Sequence, residues 1–412
     1  MAQTLFIIIL IIVVLNYLFG LLLDYLDITR WSNILPEDLA GIYDADKYSK
    51  SQEYEKVNMR FSLITGAFSF LLLILMLSLG GFAWLDNMVR TLTLHPVLMA
   101  LLFFAVLGLA SDMLTTPFSA YHTFVIEQKF GFNTTTVTTF ILDKLKSWLM
   151  AAVLGGGILS LIVWIYGVTG SWFWIIAWMA MTFFSVFMSL FYSNIIVPLF
   201  NKQTLLAPGT LRDAIEKFAV RAGFKLKNIY IINGSKRSKK ANAYFTGFGP
   251  KKRIVLYDTL LGDFTDDEIV AILAHEIGHY KKKHVLFGLV SGIISSGVLF
   301  YILSLVIGSP EMAGALGAKQ ASFHMGILAF GLLYSPVSLI MGIAGNYFSR
   351  RHEFAADGYA VAHAEANAFA QGLKKLYVMS LSNLRPHPFT VLITYSHPPL
   401  LQRLAAIEKK QC

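Results

Sequence analysis

Of the 412 residues only one is cysteine, Cys412. No disulfide can close within the chain and no thiolate metal site can form, so any metal must be held by imidazole and carboxylate. Charge is scarce too. Asp, Glu, Lys and Arg make up 14% of the chain, against about 25% in soluble globular proteins. Hydrophobic residues fill 56%. These values exclude an ordinary soluble enzyme, a disordered chain and, despite a net charge of +9, a nucleic-acid binder. There is no internal repeat and no low-complexity linker. Paired broken helices of the transporter kind are also missing. The only glycine cluster, Gly155-Gly156-Gly157, reads as a place where helices pack closely.

What the chain does have is long apolar runs. About 20 apolar residues cross a bilayer as a helix. Seven runs of that kind occur, at roughly 4–23, 61–85, 95–117, 148–168, 172–200, 285–308 and 324–346. The first is not expected to be a signal peptide, because no Lys or Arg precedes it and Asp24-Tyr25-Leu26-Asp27 is no cleavage site. With the C-terminus in the cytoplasm, segments 24–60, 118–147, 201–284 and 347–412 share that side and carry 32 of the 34 Lys and Arg. Only Arg90 and Lys319 fall on the other side, as the positive-inside rule requires. The expected organisation is a membrane part over 1–200 with a polar arm at 24–60, a soluble insertion at 201–284, two further spans within 285–346 and a soluble tail at 347–412.

The insertion carries the chemistry. Leu211–Ala222 has a helical pattern. Ile229–Ile232, Asn242–Thr246 and Arg253–Tyr257 read as strands, the last two separated by Gly247-Phe248-Gly249-Pro250. Thr265 with Glu268 forms a capping box, and Asp266 and Asp267 suit the start of a helix. That helix holds His275-Glu276-Ile277-Gly278-His279. Two imidazoles four residues apart lie on one helix face and can reach one Zn²⁺. Glu276, about a third of a turn away, is free to act as general base. The apolar run Val270–Ala274 buries this helix, and unpaired His and Glu would be costly there.

A catalytic zinc needs a third protein ligand and one open position. Beyond the seventh span, Asn346, Arg350, Glu353 and Asp357 share one face if the helix continues. Glu353 is the candidate ligand. Asp357 can take the far N–H of a ligand histidine, and Arg350 is expected to neutralise the nearby carboxylates. His352 points off that face. The first helix is expected to run from Thr265 into the sixth span without interruption. His279 then lies about 8 Å, and Glu353 about 10 Å, from the hydrocarbon edge. The metal belongs at the membrane surface.

HEIGH, followed by NxxxRxxExxAD, seven spans and Ser396-His397-Pro398-Pro399-Leu400, resembles the type I CAAX prenyl proteases, the sterile-24 family of membrane zinc metalloproteases. The resemblance covers nearly the whole chain, including the acidic arm around Tyr43–Lys56. It implies a mostly α membrane protein whose seven helices enclose a chamber, with a cytoplasmic zincin-like domain of helices and a small β-sheet. It implies zinc on His275, His279 and Glu353, with Glu276 as base. His397 and Arg403 would stand near the scissile carbonyl, where they would stabilise the oxyanion. Asn242-Ala243-Tyr244 matches the family's substrate-pairing edge strand. The implied partners are the bilayer and a peptide isoprenylated at a C-terminal CAAX cysteine. The short stretch Gly308–Phe323 between the last two spans suggests a bacterial member, placed in the inner membrane. Two other functions fit some of the same residues. One is a broad membrane quality-control metalloprotease, distinguished by equal cleavage of lipidated and unlipidated peptides. The other is a channel or transporter with a structural zinc, which would need a fourth protein ligand.

Overall fold

The computed structural model describes residues 1–32, 34–224, 226, 228–246 and 253–411. The expected turn Gly247–Pro250 and Cys412 lie outside the described residues. From the N-terminus, α1 (Ala2–Ile28) leads through a linker to α2 (Ala45–Ser78), α3 (Gly81–Leu92) and α4 (Pro96–Tyr121). Next come α5 (Val137–Met150), α6 (Gly156–Thr169), α7 (Phe173–Ile195) and α8 (Val197–Phe200). The soluble insertion is β1 (Gln203–Leu205), α9 (Thr210–Arg221), β2 (Asn228–Ile232), β3 (Ala243–Thr246), β4 (Arg253–Tyr257) and α10 (Asp266–Lys281). The chain ends with α11 (His284–Val306), α12 (Pro310–Ala315), α13 (Phe323–His363), α14 (Ala366–Met379), α15 (Pro388–Thr394) and α16 (Leu400–Gln411).

Among the described residues six helical stretches are long and apolar enough to cross a membrane, against the seven runs expected. One of them, Val137–Phe200, is 64 residues long and contains both the fourth and the fifth run. It folds back at Gly170, whose φ of 52° suits glycine, so that α6 and α7 pack on each other. The second run was expected to extend to residue 85. Its helix stops at Ser78, and Gly80, at φ 69°, starts the separate helix α3. The glycine cluster is only partly a packing device. A Cβ on Gly156 would touch Leu101, while Gly155 and Gly157 face open space.

Among the described residues two large hydrophobic cores sit toward opposite ends of α13, and a smaller cluster forms around Tyr54, Ile126, Phe130 and Phe132. One holds Ile9, Phe82, Phe103, Phe173, Phe323 and their neighbours, where the buried Asp86 carboxylate takes His324 at 2.6 Å and Arg90 at 2.8 Å. The other lies in the soluble part, around Ile215, Phe218, Leu256, Ile269 and Phe369. The polar arm is docked rather than free: Leu39, Tyr43 and Tyr48 enter this second core. Between the cores the helices bury almost nothing. Among the described residues, α13 has no buried side chain from Phe330 to Glu353, α7 none from Ala177 to Ser193, and α5 none at all. The middles of these helices therefore do not pack into a solid bundle.

The four-stranded sheet has the order β1-β2-β4-β3, with β2 and β4 parallel and the outer pairs antiparallel. β1 was not foreseen; three residues offer too little alternation to show in sequence. β3 is an edge strand. Both capping-box hydrogen bonds of Thr265 and Glu268 are present at the start of α10. The expected uninterrupted helix into the sixth span is not found. α10 ends at Lys281, and Lys283 adopts a left-handed turn, φ 61°. The physical reason lies in packing. α10 must lie against α13 inside the soluble core while α11 runs among the membrane helices, and one straight helix cannot do both.

Candidate metal centre

Close approach of α10 to α13 builds the site. Gly278 is what permits it: a Cβ there would stand 3.1 Å from the Ala356 carbonyl oxygen and 3.1 Å from Tyr359. The small residue within HEIGH thus has a structural purpose the spacing argument did not reveal. Because α13 runs unbroken from Phe323 to His363, Glu353 and Asp357 fall one turn apart on the face toward α10.

The three expected ligands converge. Nε2 of His275 and Nε2 of His279 lie 3.1 Å apart. Glu353 offers Oε2 at 3.4 Å to His275 and Oε1 at 3.2 Å to His279. One ligand atom from each of the three lies within 4.8 Å of the others. Glu353 is only 4% exposed, and its Oε2 is buried without a hydrogen-bond partner. A buried, unsatisfied carboxylate oxygen facing two imidazole nitrogens is the arrangement a divalent cation relieves. Nitrogen and oxygen donors in this number suit zinc.

Each histidine is oriented from behind. Asp357 Oδ1 accepts from His275 Nδ1 at 2.8 Å. Burial pulls the His275 imidazole down, but hydrogen bonds to Asp357 and Glu353 outweigh it and raise its pKa to about 9. Phe369 stacks on the same ring at 5.8 Å. His279 meets His284, Nδ1 to Nδ1, at 3.1 Å. Five residues separate these two. An unbroken helix would have turned His284 away, and the bend at Lys283 returns it. His352 stacks on His284 with ring centroids 4.0 Å apart and stays out of the ligand set.

Glu276 faces the cavity beside the ligands. Burial pushes its carboxyl above the ordinary range. His397, exposed, brings Nε2 to 3.5 Å from Glu353 Oε1, while its Nδ1 bonds the Ser396 hydroxyl at 2.9 Å. Arg403 is buried and bidentate on Asp357, at 2.6 and 2.9 Å, with Glu353 Oε2 3.7 Å away. Arg350 does not neutralise carboxylates as expected. It donates to the carbonyls of Val391 at 2.9 Å and Tyr395 at 2.5 Å, and Asn346 donates to Ile393 at 2.7 Å. The last carbonyls of a helix have no partner within it, and these two side chains supply one for α15. They thereby anchor the loop that carries His397.

The ladder between β3 and β4 pairs Tyr244 with Val255 and bonds Tyr257 N–H to the Asn242 carbonyl at 3.0 Å. By antiparallel alternation, the backbone of Ala243 and Phe245 then faces away from β4. Phe245 lines the metal cavity; Tyr244 packs beside Tyr192 and Ser193. Phe245 was therefore the residue missed on this strand. The same alternation applied along the sequence would have put it opposite Tyr244.

Arg403→Ala should destabilise the fold by about 3–5 kcal/mol, because it strands the Asp357 carboxylate without its buried partner. Chemical denaturation in detergent would check this. A loss below about 1 kcal/mol would mean the pair behaves as a hydrated surface bridge.

An HExxH helix, a glutamate from a second helix and membrane-crossing apolar helices define a multi-pass membrane metalloendopeptidase. Comparison with known proteins supports this class. Residues 24–202 match the family model for the CAAX prenyl protease N-terminal region of five membrane helices, and residues 206–411 match peptidase family M48. The CAAX prenyl protease 1 homolog of Arabidopsis thaliana is 35% identical over 401 residues, covering 95% of each chain. CAAX prenyl protease 1 of Saccharomyces cerevisiae is 32% identical, covering 91% of this chain and 88% of its own. The crystal structure of S. mikatae Ste24p superposes with a TM-score of 0.93 at 30% identity, covering 98% of this chain and 99% of that one. The chain belongs to peptidase family M48, in the branch of the CAAX prenyl proteases.

Proposed function

We propose that this protein is a zinc endopeptidase of the cytoplasmic membrane face that cleaves isoprenylated C-terminal peptides of the CAAX kind. One observation carries the reading: Glu276 stands beside the His275–His279–Glu353 cluster in the wall of a cavity that the edge strand β3 borders through Phe245. The names of its relatives support the substrate class, and the distribution of Lys and Arg supports the side. In a bacterium the membrane would be the inner membrane, in a eukaryote that of the endoplasmic reticulum.

Zinc on His275, His279 and Glu353 would supply Lewis-acid polarisation of the scissile carbonyl and a more acidic water. The substrate main chain adds to β3 along the outward backbone of Ala243 and Phe245, with affinity that depends little on side chains. Glu276 accepts a proton from the attacking water and returns it to the leaving amine. His397 Nε2 donates to the carbonyl oxygen as charge develops. Arg403, committed to Asp357, acts as a positioning residue: it holds the carboxylate that orients His275.

The test is cleavage of a farnesylated CAAX peptide and its unmodified twin, followed by mass spectrometry with and without a chelator. The proposal expects chelator-sensitive cleavage favouring the lipidated peptide. Equal cleavage would favour the quality-control reading, and no cleavage of either would refute both.

The His275 shift predicts a pH dependence of metal loading. In the metal-free site this imidazole keeps its proton up to a pH of about 9, and the metal must displace it. Zinc affinity should therefore rise about tenfold per pH unit up to that point and level off above it. Competition against a chelator of known affinity measures this, and a flat profile from pH 6 upward would refute it.

A further inference from the structure

Phe245 borders two hollows. One is the metal cavity. The other, about 520 Å³, lies between β3 and the last turns of α7. Its α7 wall is Met188, Ser189, Tyr192 and Ser193, all on one helix face, and its β3 wall is Tyr244 and Phe245. Gln203 of β1 holds the end of α7 in place by donating to the Ser193 carbonyl at 3.0 Å. Four hydroxyls therefore meet in this pocket. Those of Ser189 and Tyr192 belong to exposed residues. Those of Ser193 and Tyr244 are neighbours, and both are buried without a hydrogen-bond partner. Even a bond between the two would leave one O–H without an acceptor. Buried polar atoms are normally paired. The metal cavity carries the same mark, in Glu353 Oε2, where a ligand is expected. Among the described residues no Asp, Glu, Lys or Arg lines the hydroxyl pocket.

We infer that this pocket is a side-chain subsite that takes an uncharged hydrogen-bonding residue of the substrate, a carboxamide or a hydroxyl. The inference rests on the peptidase reading above and adds a sequence preference to it. Side chains alternate along a strand, and a residue added level with Tyr244 puts its side chain on the Tyr244 face. Its neighbours, level with Ala243 and Phe245, point to the face of the metal cavity. The substrate strand is thus read on both sides, by the metal on one and by the hydroxyls on the other. A carboxamide supplies an acceptor for the unpaired O–H and donors for the hydroxyl oxygens. An alkyl side chain leaves both buried hydroxyls unpaired. A carboxylate loses its water there and meets no described cation in return.

The experiment is a scan of farnesylated peptides in which each position on either side of the scissile bond carries Gln, Glu or Leu in turn, the farnesylated cysteine staying unchanged. At one position kcat/KM should favour Gln over both Leu and Glu on the order of tenfold. The double variant Tyr192→Phe, Tyr244→Phe removes two hydroxyls and little volume, and should bring the Gln-to-Leu ratio at that position to about one. Ser193→Ala should lower the same ratio. The ratio is taken within each variant, so a general loss of activity or of folded protein does not move it. Wild-type protein with no preference for Gln at any position would overturn the inference, as would a ratio unchanged in the double variant. Failure of the peptidase reading would look different: wild-type protein would cleave no peptide of the series. Competition against a labelled peptide for binding to the Glu276→Gln protein would then still decide the pocket, and equal displacement by the Gln and Leu peptides at every position would overturn it.

Discussion

Glu276→Gln is expected to lower kcat by about 10²–10⁴-fold, the usual worth of a positioned general base, while metal content stays at one per chain. The amide has the shape of the carboxylate but cannot take a proton from water. It is not a ligand: the three atoms that converge belong to His275, His279 and Glu353. Stability should not fall. Burial raises the Glu276 carboxyl, so folding disfavours its charged form. The sign follows from linkage. A carboxyl raised in the folded state weakens the fold once pH exceeds its ordinary pKa, and a neutral Gln removes that cost. The variant should therefore be inactive, metal-loaded and at least as stable at neutral pH. Steady-state cleavage, metal analysis and thermal unfolding check the three parts separately. Near wild-type turnover would remove Glu276 from the mechanism.

His279→Ala is the second large effect. The His279 side chain is 20% exposed and sits at the edge of the soluble core, so its loss should leave the fold intact. Two ligands remain where a catalytic zinc needs three. Affinity should fall by more than the about 10–100-fold that loss of an outer contact costs. Cleavage should drop to background, and added zinc should not restore it. Asp357→Asn gives the graded comparison. It keeps all three ligands but weakens the hold on His275 Nδ1, and it also leaves the buried Arg403 without its carboxylate, so stability should fall as in Arg403→Ala while added zinc restores much of the activity of the folded protein. Metal titration and zinc-rescue curves for the two variants distinguish these cases. Full metal content in His279→Ala would mean that His397, 3.5 Å from Glu353, or another group takes its place.

Much of this site is written in local sequence. Spacings of three and four residues on a helix are geometry that no tertiary contact needs to supply, so His275, Glu276, His279, Glu353 and Asp357 could be paired with their faces before any fold was known. The capping box at Thr265 and the strands around β2, β3 and β4 were equally local. Apolar run length likewise settled that the chain is a membrane protein, because a bilayer rewards little else.

Other features depend on what packs against what. The break at Lys283 has no local signal, since three lysines can continue a helix. It exists because α10 is held by the soluble core and α11 by the membrane helices. Without that bend His284 would not stand behind His279. Arg350 and Asn346 looked like partners for carboxylates along their own helix, yet the nearer claim came from the carbonyls of α15, 41 to 47 residues later in the chain. Arg403 was expected at the carbonyl and is held by Asp357. The second run was cut short at Ser78, where two glycines turn the chain. Sequence alone determined the residue types, their helical faces and the membrane setting, because these follow from short-range periodicity and solvent transfer. Only the tertiary structure decided which helices meet, where they bend and what space stays empty between them. Those outcomes depend on distant chain segments competing for the same surfaces.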